Sequence, residues 1–185
     1  MDINKFWTLI DEARETAYGW KDMCDPLIYK LSELDVSEIM TWHQIFLEYQ
    51  SLSYKQKLWA GAYIINGGCS DDGFDYFRGW LTAQGKDVFL NALKEPDNLA
   101  DIETCEGDVE FEDILGVAPC AYFSKMKMED DDYDAFYREL AAHNLSEELK
   151  NKMRSEVIYA DDIDLKWEED NLRKILPKLC KAFDY

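Results

Sequence analysis

The residues best suited to chemistry lie in one segment, Asn66–Arg78, which reads NGGCSDDGFDYFR. It places three carboxylates within five residues, those of Asp71, Asp72 and Asp75, and it ends on Arg78. Neighbouring carboxylates suit a cation or a basic side chain, and an arginine one helical turn after Asp75 would neutralise part of their charge. The segment is therefore a candidate contact site for a basic partner or another cationic ligand.

The same segment has other interpretations. Its glycines permit the positive φ with which a helix ends, and Asp71 or Asp72 can cap the following helix. A glycine-rich turn before a helix can also hold an anion, but here the carboxylates would repel a phosphate. If the segment binds a small ligand, Trp59 or Trp80 could form an apolar wall. Helix capping, a partner or ligand contact and a metal site all stay open at this point.

Catalytic signatures are absent from the sequence. It contains no phosphate-loop, dinucleotide-binding, nucleophile-elbow or His-Glu-x-x-His motif, and its two histidines offer few general bases. The aspartates near Cys69 disfavour its thiolate, and His43 on an apolar helix face is predicted to be a hydrogen-bonded core histidine. The sequence thus favours a non-enzymatic protein and indicates no catalytic residue, cofactor or metal site.

The sequence contains no complete metal-binding pattern. Residues 129–134 read EDDDYD, and Asp130, Asp132 and Asp134 have the alternation of a calcium loop, but Ala135 and Ala141 stand where that loop needs Gly and Glu. The run is predicted to be the acidic first turn of a helix. The five cysteines have no Cys-x-x-Cys spacing, so reduced, packed thiols are expected.

The net charge of the chain indicates which classes of partner it favours. The 185 residues include 39 Asp and Glu against 20 Lys and Arg, which gives a formal net charge of −19. Such a chain repels nucleic acid and anionic membranes and favours basic partners. No apolar run approaches the roughly 18 residues of a membrane span, and an acidic residue stands where a signal peptide needs basic ones. A cytoplasmic location is expected.

These residues are predicted to lie on or between helices, because apolar residues recur at intervals of three and four along nearly the whole chain. We predict a single all-α domain, residues 1–185, of about seven to nine short helices packed around a helix at 58–65 that is apolar on every side. Residues 95–108 are predicted to be a long loop. Pro119 should kink or break a helix, and the last helical stretch, 165–183, is expected to be capped by Asp164 and interrupted at Pro177.

The chain resembles the bacterial family of unknown function DUF4240. The resemblance is carried by the sequences FWTLIDEAR at 6–14, Leu58-Trp59 and AYIINGGCSDDGFDYFRGWL at 62–81. It covers about residues 3–125, and residues 126–185 match more loosely. It implies a small, soluble, largely helical protein without an established biochemical role, and it supplies no catalytic residue.

The functional hypothesis that follows is a non-enzymatic interaction protein whose acidic face binds a basic protein partner, as immunity proteins and inhibitors do. One alternative is a small enzyme or ligand-binding domain that uses the Asn66–Arg78 segment. Another is a DNA mimic, which would display its carboxylates as phosphates on one exposed face. The oligomeric state is not indicated.

Overall fold

The computed structural model describes residues 1–102, 109–128 and 131–185. Within these ranges the chain is helical and has no strand, so the all-α prediction is confirmed. The α-helices are α1 (Ile3–Thr16), α2 (Cys24–Ser32), α3 (Val36–Leu52), α4 (Gln56–Asn66), α5 (Asp71–Ala83), α6 (Lys86–Lys94), α7 (Val117–Met126), α8 (Tyr133–Ala141), α9 (Glu147–Glu156), α10 (Leu172–Ile175) and α11 (Pro177–Ala182). Short 3-10 segments are Trp20–Asp22, Pro96–Asp101, Asp113–Gly116 and Glu169–Asn171.

The described residues group into two compact units, and each unit is assembled from two separate stretches of chain. The first comprises Met1–Tyr49 and Glu112–Met153, and the second comprises Gln50–Phe111 and Arg154–Tyr185. The segment Asn66–Arg78 lies wholly within the second unit. That the whole chain forms a single domain stays a prediction.

An aromatic cluster holds the first unit together. The ring of Phe6 lies 5.2 Å from that of Trp42 and 5.5 Å from that of Tyr49, and all three side chains are buried. The indole Nε1 of Trp7 donates a hydrogen bond of 3.1 Å to the hydroxyl of Tyr49. The helical spacing of these residues on α1 and α3 brings the rings to one face of each helix, which is the physical basis of this core.

In the second unit, α4 packs closely against its neighbours at a glycine. A Cβ atom on Gly61 would lie 3.4 Å from Cδ1 of Leu179 and 3.6 Å from Cδ1 of Leu99, so the missing side chain allows the close approach. Most of α4 is buried, but Trp59 and Tyr63 are only half-buried. The prediction that this helix is enclosed on every side is therefore wrong for one face.

Three predicted details need correction. Part of the predicted loop 95–108 forms the 3-10 segment Pro96–Asp101, and residues 103–108 lie outside the described residues. Pro119 is the third residue of α7 and does not break it, because the N–H groups of a first helical turn have no helical acceptor to lose. Asp164 caps no helix; its carboxylate lies 2.9 Å from Nζ of Lys55. The predicted interruption at Pro177 is confirmed as the boundary between α10 and α11.

Candidate functional site

The turn that joins α4 to α5 positions the site. Gly67 ends α4 with a φ of 67°, a left-handed conformation that glycine adopts without steric cost, and the N–H of Gly68 bonds to the carbonyl of Tyr63. Ser70 then caps α5, since its Oγ accepts a hydrogen bond of 3.0 Å from the N–H of Gly73. The prediction that Asp71 or Asp72 would cap this helix is therefore wrong.

All three predicted carboxylates lie in the first two turns of α5 and differ in their surroundings. Asp71 is exposed, and its Oδ1 accepts a hydrogen bond of 2.8 Å from the hydroxyl of Tyr54. Asp72 is exposed as well. Asp75 is about half exposed and forms an ion pair with Arg78. The helix N-terminus favours negative charge at Asp71 and Asp72, so these two charges are compatible with the fold.

Arg78 is a buried structural cation. Only 5% of the residue is exposed, and its guanidinium donates hydrogen bonds to the carbonyl of Gln50 and to Asp75, with a further bond of 3.3 Å from Nε to the carbonyl of Phe74. Burial lowers the pKa of this guanidinium, and the charge of Asp75 opposes that effect. Because its donors already have internal acceptors, Arg78 is poorly placed to bind an external anion.

Two neighbouring aromatic rings contact this guanidinium. Its Cζ lies 4.8 Å from the ring centre of Tyr54 and 4.9 Å from that of Phe74, within the range of a cation–π interaction. The ring of Trp59 stacks on Phe74 at 4.9 Å, and the Tyr54 ring meets Trp59 edge-on at 5.7 Å. A continuous aromatic layer therefore lies beside the carboxylates of α5.

The two predicted apolar-wall residues have different positions. Trp59 is half-buried, and its Nε1 donates a hydrogen bond of 3.1 Å to the carbonyl of Cys69, so its ring borders the site. Trp80 has no exposed surface and packs on Phe77 at 5.3 Å, deep in the core. A ligand from solvent can contact Trp59, whereas Trp80 belongs to the core. We call Tyr54, Trp59, Asp71, Asp72 and Asp75 the acidic aromatic surface.

Cys69 is not suited to nucleophilic catalysis. Burial raises the pKa of its thiol to about 12, and the charge of Glu110 contributes in the same direction. The thiolate of Cys69 is therefore disfavoured, as expected. The main cause is burial, however, and the nearby negative charge is that of Glu110 and not that of the predicted aspartates. Glu110 also lies over the start of α5, where its Oε1 is 2.7 Å from the position that a Cβ atom on Gly73 would take.

The histidine prediction holds in part. His43 is buried, and its ring meets that of Phe136 edge-on at 5.2 Å, as expected of a core residue. Its Nδ1 has no hydrogen-bond partner among the described residues, so the predicted hydrogen bond is not made at this atom. Burial lowers the pKa of His43 to about 4, which makes it a neutral packing residue at ordinary pH.

Metal binding finds no support in the described ranges, where no group of three or more His, Cys, Asp or Glu side chains could hold an ion. In the calcium-like run, Asp132 caps α8 by accepting a hydrogen bond of 2.9 Å from the N–H of Ala135, while residues 129–130 lie outside the described residues. Cys105 lies outside them as well.

Four further residues contribute to the site and are not among the predicted site residues. These are Gln50, Tyr54, Phe74 and Glu110, which supply a backbone acceptor, two rings and a nearby carboxylate. Phe74 lies inside the singled-out segment and could have been found from its i,i+4 spacing to Arg78. The other three lie far from the segment in sequence, and no local pattern indicates them.

In the described part of the chain, no helix combines the length and apolar character needed to cross a membrane.

Comparisons with known proteins place the chain in a family. No curated protein and no solved structure matches the sequence. The family model described as "Protein of unknown function (DUF4240)" matches residues 1–124, which include the whole turn and helix of the acidic aromatic surface. The chain therefore belongs to the DUF4240 family.

Proposed function

We propose that this protein is a non-enzymatic interaction protein and that its acidic aromatic surface binds a basic protein partner. The observation that carries the proposal is the capping of α5 by Ser70. Because Ser70 already supplies the side-chain cap, neither Asp71 nor Asp72 is needed for it, and both residues are exposed to solvent. Two exposed charges without a capping role are available to a partner.

The rings beside these carboxylates support the same proposal. Tyr54 is 43% exposed, and Trp59 is half-buried. A carboxylate next to an aromatic ring suits an arginine or lysine side chain, which can form an ion pair with the acid and a cation–π contact with the ring. Arg78 provides an internal example of this packing, since its guanidinium lies 4.8 Å from the Tyr54 ring and pairs with Asp75.

Long-range electrostatics would favour the same class of partner. The net charge of −19 attracts a basic protein and speeds encounter, while a Debye length of about 8 Å at physiological salt limits this effect to short range. Binding through such a surface should weaken as ionic strength rises to about 0.3 M. The raised pKa of Cys69 and the internally bonded Arg78 support the non-enzymatic part of the proposal.

The test compares two charge-matched double variants. Asp71→Asn with Asp72→Asn removes two charges from the surface, and Asp131→Asn with Asp134→Asn removes two from exposed positions beside the start of α8. Proteins captured from the native cell by the parent are purified, and their affinities for all three forms are measured by calorimetry at two salt concentrations. The proposal predicts a basic partner whose affinity falls about tenfold or more with the first variant and stays near the parental value with the second.

Other outcomes separate the alternatives. Equal losses in both variants would show that only net charge matters and would contradict the assigned surface. A DNA-binding partner that duplex DNA displaces would favour the DNA mimic. A captured partner with a neutral or acidic surface and salt-independent affinity would remove the electrostatic argument.

A further inference from the structure

A cavity in the second unit lies apart from the acidic aromatic surface. It has a volume of about 500 Å³ and lies between the start of α4, the 3-10 segment Pro96–Asp101, the loop before α10, and α10 and α11. We infer that this cavity binds a small zwitterion with an aliphatic part, of the class of an apolar α-amino acid. The inference is independent of the proposed partner contact.

One wall of the cavity has a buried lysine held by carboxylates. Lys57 is 6% exposed, and its Nζ lies 2.9 and 3.0 Å from the two carboxylate oxygens of Asp162 and 3.8 Å from Oε1 of Glu95. The side chains of both acids remain 46% exposed. One ammonium thus compensates two carboxylates, which leaves this wall with an excess of negative charge that can accept a ligand ammonium group.

A second part of the lining has two lysines from different helices. Lys174 belongs to α10 and Lys178 to α11, and both are exposed. Nζ of Lys178 donates a hydrogen bond of 2.8 Å to Oδ1 of Asn98, which leaves further donors on the same ammonium. These two charges can hold a ligand carboxylate.

Asp97, which also lines the cavity, has a structural role. Each of its carboxylate oxygens accepts a hydrogen bond of 3.0 Å, one from the N–H of Lys178 and the other from the N–H of Leu179. The residue is 6% exposed and fixes the start of α11. Asp97 therefore holds Lys178 in position. With its carboxylate included, the cavity lining has as many carboxylates as ammonium groups.

Apolar side chains complete the lining. Leu165, Ile175 and Pro177 border the same space as the charged groups. A volume of about 500 Å³ falls in the range of small-molecule sites, which are typically 300–1,000 Å³. An aliphatic group packed on these residues would add affinity that is independent of charge.

The balance of charges decides the class of ligand. A simple anion would meet Glu95 and Asp162, and a simple cation would meet Lys174 and Lys178, so either would lie near like charges in the lining. A zwitterion can place each charge against its opposite. Because it carries no net charge, the net charge of −19 on the chain neither attracts nor repels it at long range.

The first experiment measures binding of defined probes to the full chain by calorimetry at low ionic strength. The probes are L-leucine, L-isoleucine, L-valine and L-methionine. Two analogues of leucine each lack one charge, namely 4-methylpentanoate without the ammonium and 3-methylbutylamine without the carboxylate. We expect saturable binding of at least one amino acid, and for leucine an affinity about tenfold or more above that of either analogue. Absence of binding by all four amino acids, or equal binding of an analogue, would overturn the inference.

The second experiment locates the site. Lys174→Met with Lys178→Met removes the positive wall at exposed positions, where a substitution leaves the fold intact. Arg173→Met with Lys181→Met, which removes two charges from exposed positions of the same two helices outside the cavity lining, is the matched control. The double variant should lose about tenfold or more in amino-acid affinity, with an unchanged melting temperature without ligand, and the control should bind as the parent does. Parental affinity in the double variant would place any binding elsewhere and contradict the assigned cavity.

Discussion

The hydroxyl of Tyr54 donates a hydrogen bond of 2.8 Å to Oδ1 of Asp71 and so joins the turn before α4 to the first residue of α5. The same tyrosine ring lies 4.8 Å from the guanidinium carbon of Arg78, which pairs with Asp75. One side chain therefore contacts both the exposed and the paired parts of the acidic aromatic surface. This arrangement orients Asp71 without burying its charge.

The titration of Tyr54 reports on this bond. The hydrogen bond to Asp71 and the charge of its carboxylate raise the pKa of the Tyr54 phenol. Asp71→Asn removes the charge that opposes ionisation, so the pKa of Tyr54 should move down toward the ordinary tyrosine value. NMR titration of the tyrosine Cζ resonances measures the change, with Tyr54→Phe to assign the signal. Asp72→Asn is the control, and an equal shift in that variant would contradict the specific role of Asp71.

Substitutions at adjacent residues can distinguish the contribution of the α5 cap to stability from that of the exposed charges. Ser70→Ala removes the acceptor of the Gly73 N–H and should lower the free energy of unfolding by about 1 kcal/mol. Asp71→Asn and Asp72→Asn should each change it by less, since neither side chain caps the helix. Urea denaturation of the three variants measures the difference. Greater destabilisation by an aspartate variant than by Ser70→Ala would show that the carboxylates have a structural role.

Arg78 and Asp75 should contribute unequally to stability although they form one ion pair. Arg78→Met leaves the carbonyl of Gln50 without its donor and removes a buried cation packed against two rings, so it should cost about 2–4 kcal/mol. Asp75→Asn keeps an acceptor at a position that is half exposed and should cost about 1 kcal/mol or less. Chemical denaturation of both variants tests this order. Equal costs would mean that the ion pair, and not the burial of Arg78, dominates.

His43 should make stability sensitive to mild acid. Its pKa is about 4 in the folded chain because of burial, against 6.5 for an unperturbed histidine, so the unfolded chain binds the proton more readily. Stability from this residue is complete above about pH 6.5 and is lost progressively as the pH falls toward 4, by about 3 kcal/mol in all. Thermal unfolding across this range measures the slope.

A variant without this imidazole isolates that contribution from the titration of carboxylates. His43→Phe should flatten the slope between pH 6.5 and 4 relative to the parent. The comparison uses slopes and not absolute stabilities, because phenylalanine changes the packing against Phe136. A parental slope in His43→Phe would contradict the assignment to His43.

Local patterns in the sequence were sufficient for the helical elements. The spacing of Phe6, Trp7 and Ile10 predicts α1, and the glycines at 67 and 68 predict the end of α4, because both signals arise from interactions between residues a few positions apart. Helix α9 gave no such signal. Its sequence, EELKNKMRSE, is polar and buries Met153, so its amphipathic periodicity is too weak to predict a helix.

At the site, local sequence is enough to predict which carboxylates cluster, since Asp71, Asp72 and Asp75 follow one another on a helix. Their surroundings, in contrast, depend on tertiary packing. Tyr54 and Gln50 reach Arg78 from 24 and 28 positions away, and Lys57 meets Asp162 across 105 positions. Such contacts depend on how helices pack, which a local pattern does not encode. The burial that raises the pKa of Cys69 and places Trp80 in the core has the same physical origin, because exposure to water is set by the neighbours that tertiary packing supplies.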